Sequence, residues 1–163
     1  MSGRAYVAVI GLGDEHPGKN ALAREVGRGL AEAWAILVCG GLGGVMAAAA
    51  EGAAEAGGLS VGLLPGDSRA AAAESLTVAV PTGLGEARNA LVVRAADAVI
   101  AIGGGFGTLS EIALALKAGK GVVALDSWRA EDSEGERLPV SEVATPTEAV
   151  RLALELARRQ SPG

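Results

Sequence analysis

Length, composition and charge limit this chain to one small domain with an aliphatic core. Its 163 residues are 50% hydrophobic but only 2% aromatic, so alanine, valine, leucine and isoleucine must form that core. The formal net charge of −5 argues against the basic face that charge-driven binding to DNA, RNA or an anionic membrane requires.

Cysteine content and hydropathy predict a cytoplasmic protein. Cys39 is the single cysteine, which excludes an intramolecular disulfide and a thiolate zinc cluster. The first residues lack the apolar core of a signal peptide, and no apolar run approaches the length of a membrane span. We expect one domain over residues 1–163, with frayed ends at 1–4 and 160–163.

Strands and helices alternate along the chain. Short apolar runs predict strands, in order, at Tyr6–Ile10, Ala35–Cys39, Ser60–Leu64, Leu76–Val80, Ala98–Ile102, Val122–Leu125 and around Val143. Helical periodicity and helix-ending glycines predict a first helix that ends near Trp34, and others at Val45–Ala56, Glu86–Ala96, Thr108–Ala118 and Thr147–Arg159. The polar segment Trp128–Pro139 predicts a surface loop or small flap, and whether it closes over a ligand stays open.

This alternation predicts a single α/β domain with a Rossmann-like, doubly wound, mainly parallel sheet and helices on both faces. In such folds ligands bind beyond the carboxyl ends of the strands. Glycine-containing turns follow Ile10, Cys39, Leu64 and Ile102, so one cleft can collect all four. Some helices carry apolar residues on more than one face, as at Leu91–Val93, which favours a homodimer or a larger homo-oligomer.

The turn after the strand Ala98–Ile102 is the strongest candidate for a binding site. Gly103, Gly104, Gly105 and Gly107 connect a buried strand to the start of a helix. Backbone N–H groups and the helix dipole favour an anion there, and the missing side chains let a phosphate approach the backbone. The turn therefore predicts an anion site.

Two residues of this turn also have an interpretation without a ligand. Thr108-Leu-Ser-Glu111 has the spacing of a capping box, in which both side chains bond N–H groups of their own helix. That interpretation does not explain the glycines or Arg88, which lies in the first turn of the preceding helix, where the dipole disfavours a cation. Residues that break a local rule are often functional.

A second glycine-rich turn lies at the same predicted edge. Gly40-Gly-Leu-Gly-Gly44 contains four glycines in five residues. The backbone entropy that they cost favours close approach of a ligand to Gly41, Gly43 and Gly44 over simple packing against a neighbouring strand.

Gly11-Leu-Gly13 resembles the start of a dinucleotide fingerprint. His16 occupies the third glycine position, and no acidic residue closes the following strand, which argues against NAD. A tight turn and a role in lining the cleft are equally supported for Gly11 and Gly13.

The segment Gly103-Gly-Gly-Phe-Gly-Thr-Leu-Ser-Glu111 resembles the P-G-G-x-G-T-x-x-E signature of the LOG (Lonely Guy) family, which are cytokinin-activating phosphoribohydrolases. Arg88-Asn89 lies fifteen residues before Gly103, where that family has an Arg-Lys pair. Gly103 replaces the proline of the family, and Asn89 replaces its lysine. These two departures, together with the segment Cys39-Gly-Gly-Leu-Gly-Gly-Val-Met46, make the chain more similar to a sister group than to the LOG enzymes. That group consists of LOG-like bacterial proteins related to the molybdenum cofactor carrier protein.

The resemblance implies a Rossmann-like fold, a homo-oligomer and a nucleotide site. Carried over, it makes Arg88 and Glu111 catalytic, and it makes Gly104, Gly105, Gly107 and Thr108 the phosphate cradle. One hypothesis is hydrolysis of a nucleoside 5′-monophosphate to free base and ribose 5-phosphate, in which the carboxylate stabilises positive charge on the ribose and orients or activates water. The alternative is a carrier or sensor without catalysis, whose ligand is a phosphorylated pterin such as molybdenum cofactor, or a nucleotide. A scaffold without a ligand is a third possibility.

No metal and no resident cofactor are predicted. His16 is the single histidine and has no further metal ligands near it in the sequence. LOG proteins are often labelled lysine decarboxylases, but the lysines of this chain do not form a convincing pyridoxal phosphate site, so that activity is not expected. These lysines are Lys19, Lys117 and Lys120.

Overall fold

All seven strands of the protein pair in parallel within one sheet. A computed structural model describes residues 3–160. The strands are β1 (Tyr6–Gly11), β2 (Ile36–Cys39), β3 (Leu59–Leu64), β4 (Val78–Pro81), β5 (Ala98–Gly103), β6 (Gly121–Ser127) and β7 (Ser141–Val143). The helices are α1 (Pro17–Glu32), α2 (Gly44–Glu55), α3 (Arg88–Ala95), α4 (Phe106–Lys117) and α5 (Pro146–Gln160), and a 3-10 turn at Gly85–Ala87 precedes α3. Of the expected frayed ends, residues 1–2 and 161–163 lie outside the described residues.

Helices cover both faces of the sheet, so the predicted Rossmann-like α/β fold is confirmed. Successive strand residues point to opposite faces, and each face has its own apolar core. On one face Val9 and Ile100 pack beneath α1, α2 and α5. On the other face Ala8 and Val99 pack beneath α3 and α4. Every residue of β5 is buried, which explains its uninterrupted apolar sequence.

The direction in which strands are added reverses between β1 and β5. The strand order is β4-β3-β2-β1-β5-β6-β7, so the chain moves outward from β1 to β4 and then crosses back to β5, where Val9 pairs with Ile100. Loops that leave two such neighbouring strands run to opposite faces and leave a crevice at the carboxyl edge. The glycine-containing turns after β1 and β5 therefore flank this crevice.

The start of α4 differs from its sequence prediction. The helix begins at Phe106, with Gly105 as its N-cap residue and no side-chain capping hydrogen bond. Thr108 and Glu111 consequently lie inside the helix, where both are buried. The capping-box interpretation of these two residues is therefore wrong.

Two further boundaries differ, and the polar flap is seen. The helix expected from Glu86 begins as α3 only after the 3-10 turn. The strand expected over Leu76–Val80 is observed as β4 and ends at Pro81; a proline is tolerated there because β4 is an edge strand whose outer side needs no N–H donor. Residues 128–139 form a loop in which Glu131 and Arg137 make one antiparallel bridge.

The described helices leave two sequence predictions unanswered. None of the helices within residues 3–160 is both long and apolar enough to cross a lipid bilayer. Leu91 and Leu114 on the α3 and α4 side are 38% and 37% exposed. A homo-oligomer that covers such residues stays a prediction, as does the cytoplasmic location.

Helices α1 and α2 approach each other backbone to backbone through two buried glycines. A Cβ atom on Gly27 would lie 1.9 Å from the carbonyl oxygen of Ala49, and one on Gly52 would lie 1.9 Å from that of Arg24. Glycine is required at both positions because any side chain would separate the helices. The aromatic-poor composition follows from such close packing.

Replacing Gly27 by alanine should open this contact. We expect Gly27→Ala to lower the free energy of unfolding by about 2 kcal/mol or more, because overpacking outweighs the better helix propensity of alanine. Gly18→Ala is the matched control in the same helix, where the site is exposed and should gain up to about 1 kcal/mol. Urea unfolding of both variants measures these values, and a Gly27→Ala protein as stable as the parent would contradict the packing argument.

Candidate functional site

A cleft of about 370 Å³ opens where β1, β2 and β3 end. Gly11 and Gly40 form its floor at the ends of β1 and β2, Arg88 enters from α3, and Gly107 and Glu111 belong to α4. The other residues that line it are Val9, Ile10, Leu42, Met46, Pro65, Gly85, Glu86 and Asn89. The reversal of strand order thus brings together four residues that the sequence selected separately: Gly11, Arg88, Gly107 and Glu111.

Arg88 is a buried cation at the first position of α3. The residue is only 8% exposed, and its Nη1 donates a hydrogen bond to Oδ1 of Asn89 at 2.6 Å. Its Nε is buried and has no hydrogen-bond partner among the described residues. A buried N–H that lacks a partner costs free energy, and a cation is disfavoured at a helix N terminus. Arg88 therefore brings to the lining of the cleft a positive charge whose hydrogen bonds are incomplete among the described residues.

Gly40 makes room for this guanidinium and lies outside the predicted set of site residues. A Cβ atom at this position would lie 2.7 Å from Nη1 of Arg88 and 2.7 Å from Sδ of Met46. The signal that could have identified Gly40 is its position directly after β2 in a motif already singled out. Asn89 was noted only as a departure from the LOG pattern, yet it is the hydrogen-bond acceptor for Arg88.

Glu111 contributes a buried carboxyl group to the cleft. The residue is 6% exposed, and burial raises its pKa to about 7, while the positive charge of Arg88 acts in the opposite direction. Near neutral pH both protonation states are therefore populated. A carboxyl group in this state can accept a proton or donate one.

Cys39 is inert at the base of the same region. Burial raises the pKa of its thiol to about 11, so it remains protonated at neutral pH. Within residues 3–160, no three His, Cys, Asp or Glu side chains come close enough to hold a metal ion. The polar side chains that line the cleft are those of Glu86, Arg88, Asn89 and Glu111, and of these Arg88 and Glu111 are buried.

The glycine loop, residues 103–107, has both strained and open positions. Gly103 and Gly104 have φ values of +62° and +140°, which favour glycine. A Cβ atom on Gly105 or Gly107 would meet no atom within 4 Å, so this part of the backbone is accessible. Thr108 is buried just after the loop.

A second cleft of about 370 Å³ lies on the other side of the glycine loop. Gly104 and Trp128 line it, together with Lys19. The Nζ of Lys19 forms a salt bridge with the carboxylate of Asp126 and donates to its backbone oxygen at 2.9 Å. The predicted phosphate cradle is therefore divided, with Gly107 facing the main cleft and Gly104 facing the second one.

The remaining predicted glycines lie outside the lining of the main cleft. Gly41 has a φ value of +78°, and a Cβ atom on it would lie 2.8 Å from the side chain of Leu64 in β3. Gly44 has a φ value of +58°, and a Cβ atom on it would lie 2.3 Å from the carbonyl oxygen of Leu12 in the β1–α1 loop. Gly13 and Gly43 lie side by side, since a Cβ atom on Gly43 would be 3.2 Å from the oxygen of Gly13. Close backbone packing accounts for Gly41 and Gly44, and a role of all four in ligand binding stays a prediction.

Comparison with known proteins adds a family and several related structures. Residues 4–150 match the model of the SLOG cluster4 family. An uncharacterized protein of Archaeoglobus fulgidus is 44% identical over 119 residues, which cover 73% of this chain and 78% of that protein. The molybdenum cofactor binding protein of Rippkaea orientalis superposes with a TM-score of 0.85 at 32% identity, over 96% of this chain and 99% of that one. The molybdenum cofactor carrier protein of Chlamydomonas reinhardtii superposes with a TM-score of 0.82 at 33% identity, over 96% and 99%.

The buried carboxyl group should make stability depend on pH. The pKa of Glu111 in the folded protein, about 7, exceeds its unfolded value of about 4.3, so this contribution to stability is complete below the unfolded pKa and is lost as the pH rises to about 7. Glu111→Gln cannot ionise and escapes that loss. We expect the unfolding free energy of the variant, minus that of the parent, to increase by on the order of 3 kcal/mol between about pH 4.5 and about pH 8.

Urea unfolding of both proteins across this pH range measures the difference. The attraction of the ionised carboxylate to Arg88 is already contained in the pKa of about 7, so the expected change with pH includes it. Glu25→Gln, at an exposed position of α1, is the matched control and should show no such trend. If the unfolding free energy of Glu111→Gln minus that of the parent stays constant across this pH range, the claim that burial raises the pKa of Glu111 is contradicted.

Proposed function

This chain belongs to the SLOG cluster4 family, and from that premise we propose that it binds and carries a small phosphorylated ligand of the molybdenum cofactor kind. The observation that supports this most directly is the buried guanidinium of Arg88, whose Nε has no partner among the described residues and which lines the cleft at the strand reversal. The names of the Rippkaea and Chlamydomonas proteins support a pterin cofactor as the cargo. A carrier needs a site that holds an anion without reacting with it.

The phosphate group would lie against the first turn of α4. The first N–H groups of a helix have no partner within that helix, and the dipole adds positive potential there. Gly105 and Gly107 leave this backbone uncovered, and Arg88 adds a full positive charge on the cleft side. A local anion site of this kind operates despite the net negative charge of the protein.

Hydrolysis of a nucleoside 5′-monophosphate is the second candidate, and the carboxyl group of Glu111 favours it. With a pKa of about 7, the ionised form could accept a proton from water as that water attacks C1′ of the ribose. The bond between C1′ and the base nitrogen breaks, its electron pair goes to the base, and Glu111 returns the proton to the base. The products are the free base and ribose 5-phosphate.

Arg88 provides the test of ligand binding. We expect Arg88→Met to weaken binding of a pterin phosphate or AMP at least about tenfold, because a charge-assisted hydrogen bond is lost. Arg158→Met, at an exposed position of α5, should bind like the parent. Isothermal titration calorimetry measures both, and urea unfolding verifies that the variants fold.

Gly107→Ala tests the backbone contribution without disturbing the core, since the added methyl group meets no protein atom. We expect this variant to be as stable as the parent but to bind the same ligands more weakly. Binding by the parent that neither Arg88→Met nor Gly107→Ala reduces would place the ligand elsewhere and overturn the proposal.

Turnover distinguishes the two candidates. Under the hydrolysis hypothesis, the parent protein releases free base from AMP or a related monophosphate, and Glu111→Gln slows release by about 10²-fold or more while still binding the substrate. Chromatography of the reaction mixture detects the base. A parent protein that binds these ligands and releases no base would support carriage and contradict hydrolysis.

A further inference from the structure

Aromatic side chains are scarce in this chain, and two of them meet at the glycine loop. The sequence contains one phenylalanine, one tyrosine and two tryptophans. The ring centroids of Phe106 and Trp128 are 6.0 Å apart, and their planes form an angle of 32°. In a core built from aliphatic residues, this placement calls for a reason other than packing.

Trp128 is held firmly on the loop. Its indole Nε1 donates a hydrogen bond to the carbonyl oxygen of Gly105 at 3.0 Å, and the ring packs at the edge of the core beneath α3 and α4. It also lines the second cleft beside Gly104. The indole is therefore a fixed wall on the side of the glycine loop that faces the second cleft.

Phe106 has the opposite character. It is the first residue of α4 and is 83% exposed, so its phenyl ring gains little hydrophobic stabilisation from the protein. It lies between Gly105 and Gly107, the two loop positions with open space above the backbone. A ligand whose phosphate contacts this loop has an exposed aromatic face within reach of the rest of its structure.

We propose that Phe106 and Trp128 form an aromatic platform that binds the planar, fused, nitrogen-containing ring of the ligand. This inference rests on the proposed function and names the ring as its second recognition element. Aromatic faces stack well on heteroaromatic rings and accept different hydrogen-bonding patterns. Purine nucleotides and pterin phosphates share this chemistry.

The two tryptophans allow a direct optical test. Trp34 lies before β2, at the opposite edge of the sheet from the glycine loop, with the guanidinium carbon of Arg4 4.2 Å from its ring centroid. In Trp34→Phe only Trp128 contributes tryptophan fluorescence, and we expect AMP and a pterin phosphate to quench it. Ribose 5-phosphate, which has the phosphate but no ring, should not. Trp128→Phe retains Trp34 and should show no quenching by any of them.

Phe106→Ala measures the platform by affinity. We expect it to weaken binding of AMP or a pterin phosphate about tenfold and to leave binding of ribose 5-phosphate unchanged. Leu114→Ala is the matched control, since this exposed residue lies two turns further along the same helix, and it should change neither affinity. Comparison of AMP with the pterin phosphate shows which ring the platform prefers, and preference for either one supports it.

Three results would overturn the platform. Equal affinity of the parent protein for ribose 5-phosphate and the ring-containing ligands would do so while leaving phosphate binding intact. A sedimentation change in Phe106→Ala with unaltered ring affinity would assign the phenyl group to contact with a second copy of the chain. Failure of the parent protein to bind any of the three probes would remove the proposed function as well.

Discussion

The buried charge of Arg88 is the constraint on which the candidate site depends. A guanidinium that is removed from water must be compensated by hydrogen bonds or by an opposite charge. Asn89 accepts one hydrogen bond, the positive charge of Arg88 acts to lower the pKa of nearby Glu111, and Gly40 leaves space for the guanidinium. Asn89 stands where LOG proteins have lysine, and an ammonium group cannot accept that bond. The compensation is incomplete at Nε, which gives an anionic ligand something to contribute.

The sequence predicts the fold well because the pattern of each element agrees with its surroundings. β5 is apolar at every position before Gly103 because it is covered on both faces. Its neighbour β1 also ends at a glycine, Gly11. The start of α4 could not be predicted in the same way. A Thr-x-x-Glu spacing is compatible with a capping box and with two buried residues inside a helix, and only the tertiary structure shows that Thr108 and Glu111 are buried.

Glycines define the limit of what the sequence can say about the site. A missing side chain has the same appearance in a sequence whether the space is needed by a ligand, by another backbone or by an unusual φ. Gly44 has a positive φ and a backbone neighbour too close for any Cβ atom, whereas Gly107 has open space at the cleft. Gly40 serves a third purpose, because it accommodates the side chain of Arg88. These roles depend on contacts between residues that are distant in sequence.

Under the proposed carrier function, a bound phosphate would change the protonation state of Glu111. A phosphate beside Arg88 would neutralise the charge that now lowers the pKa of Glu111, and its own negative charge would raise that pKa further. Ligand binding would then leave Glu111 mostly protonated at neutral pH, which removes the base that would activate water. A protonated carboxyl group can still donate a hydrogen bond to a ligand. On this proposal we expect Arg88 and Glu111 to hold the anion, and we expect hydrolysis to require a phosphate that lies away from Glu111, at the far side of the glycine loop.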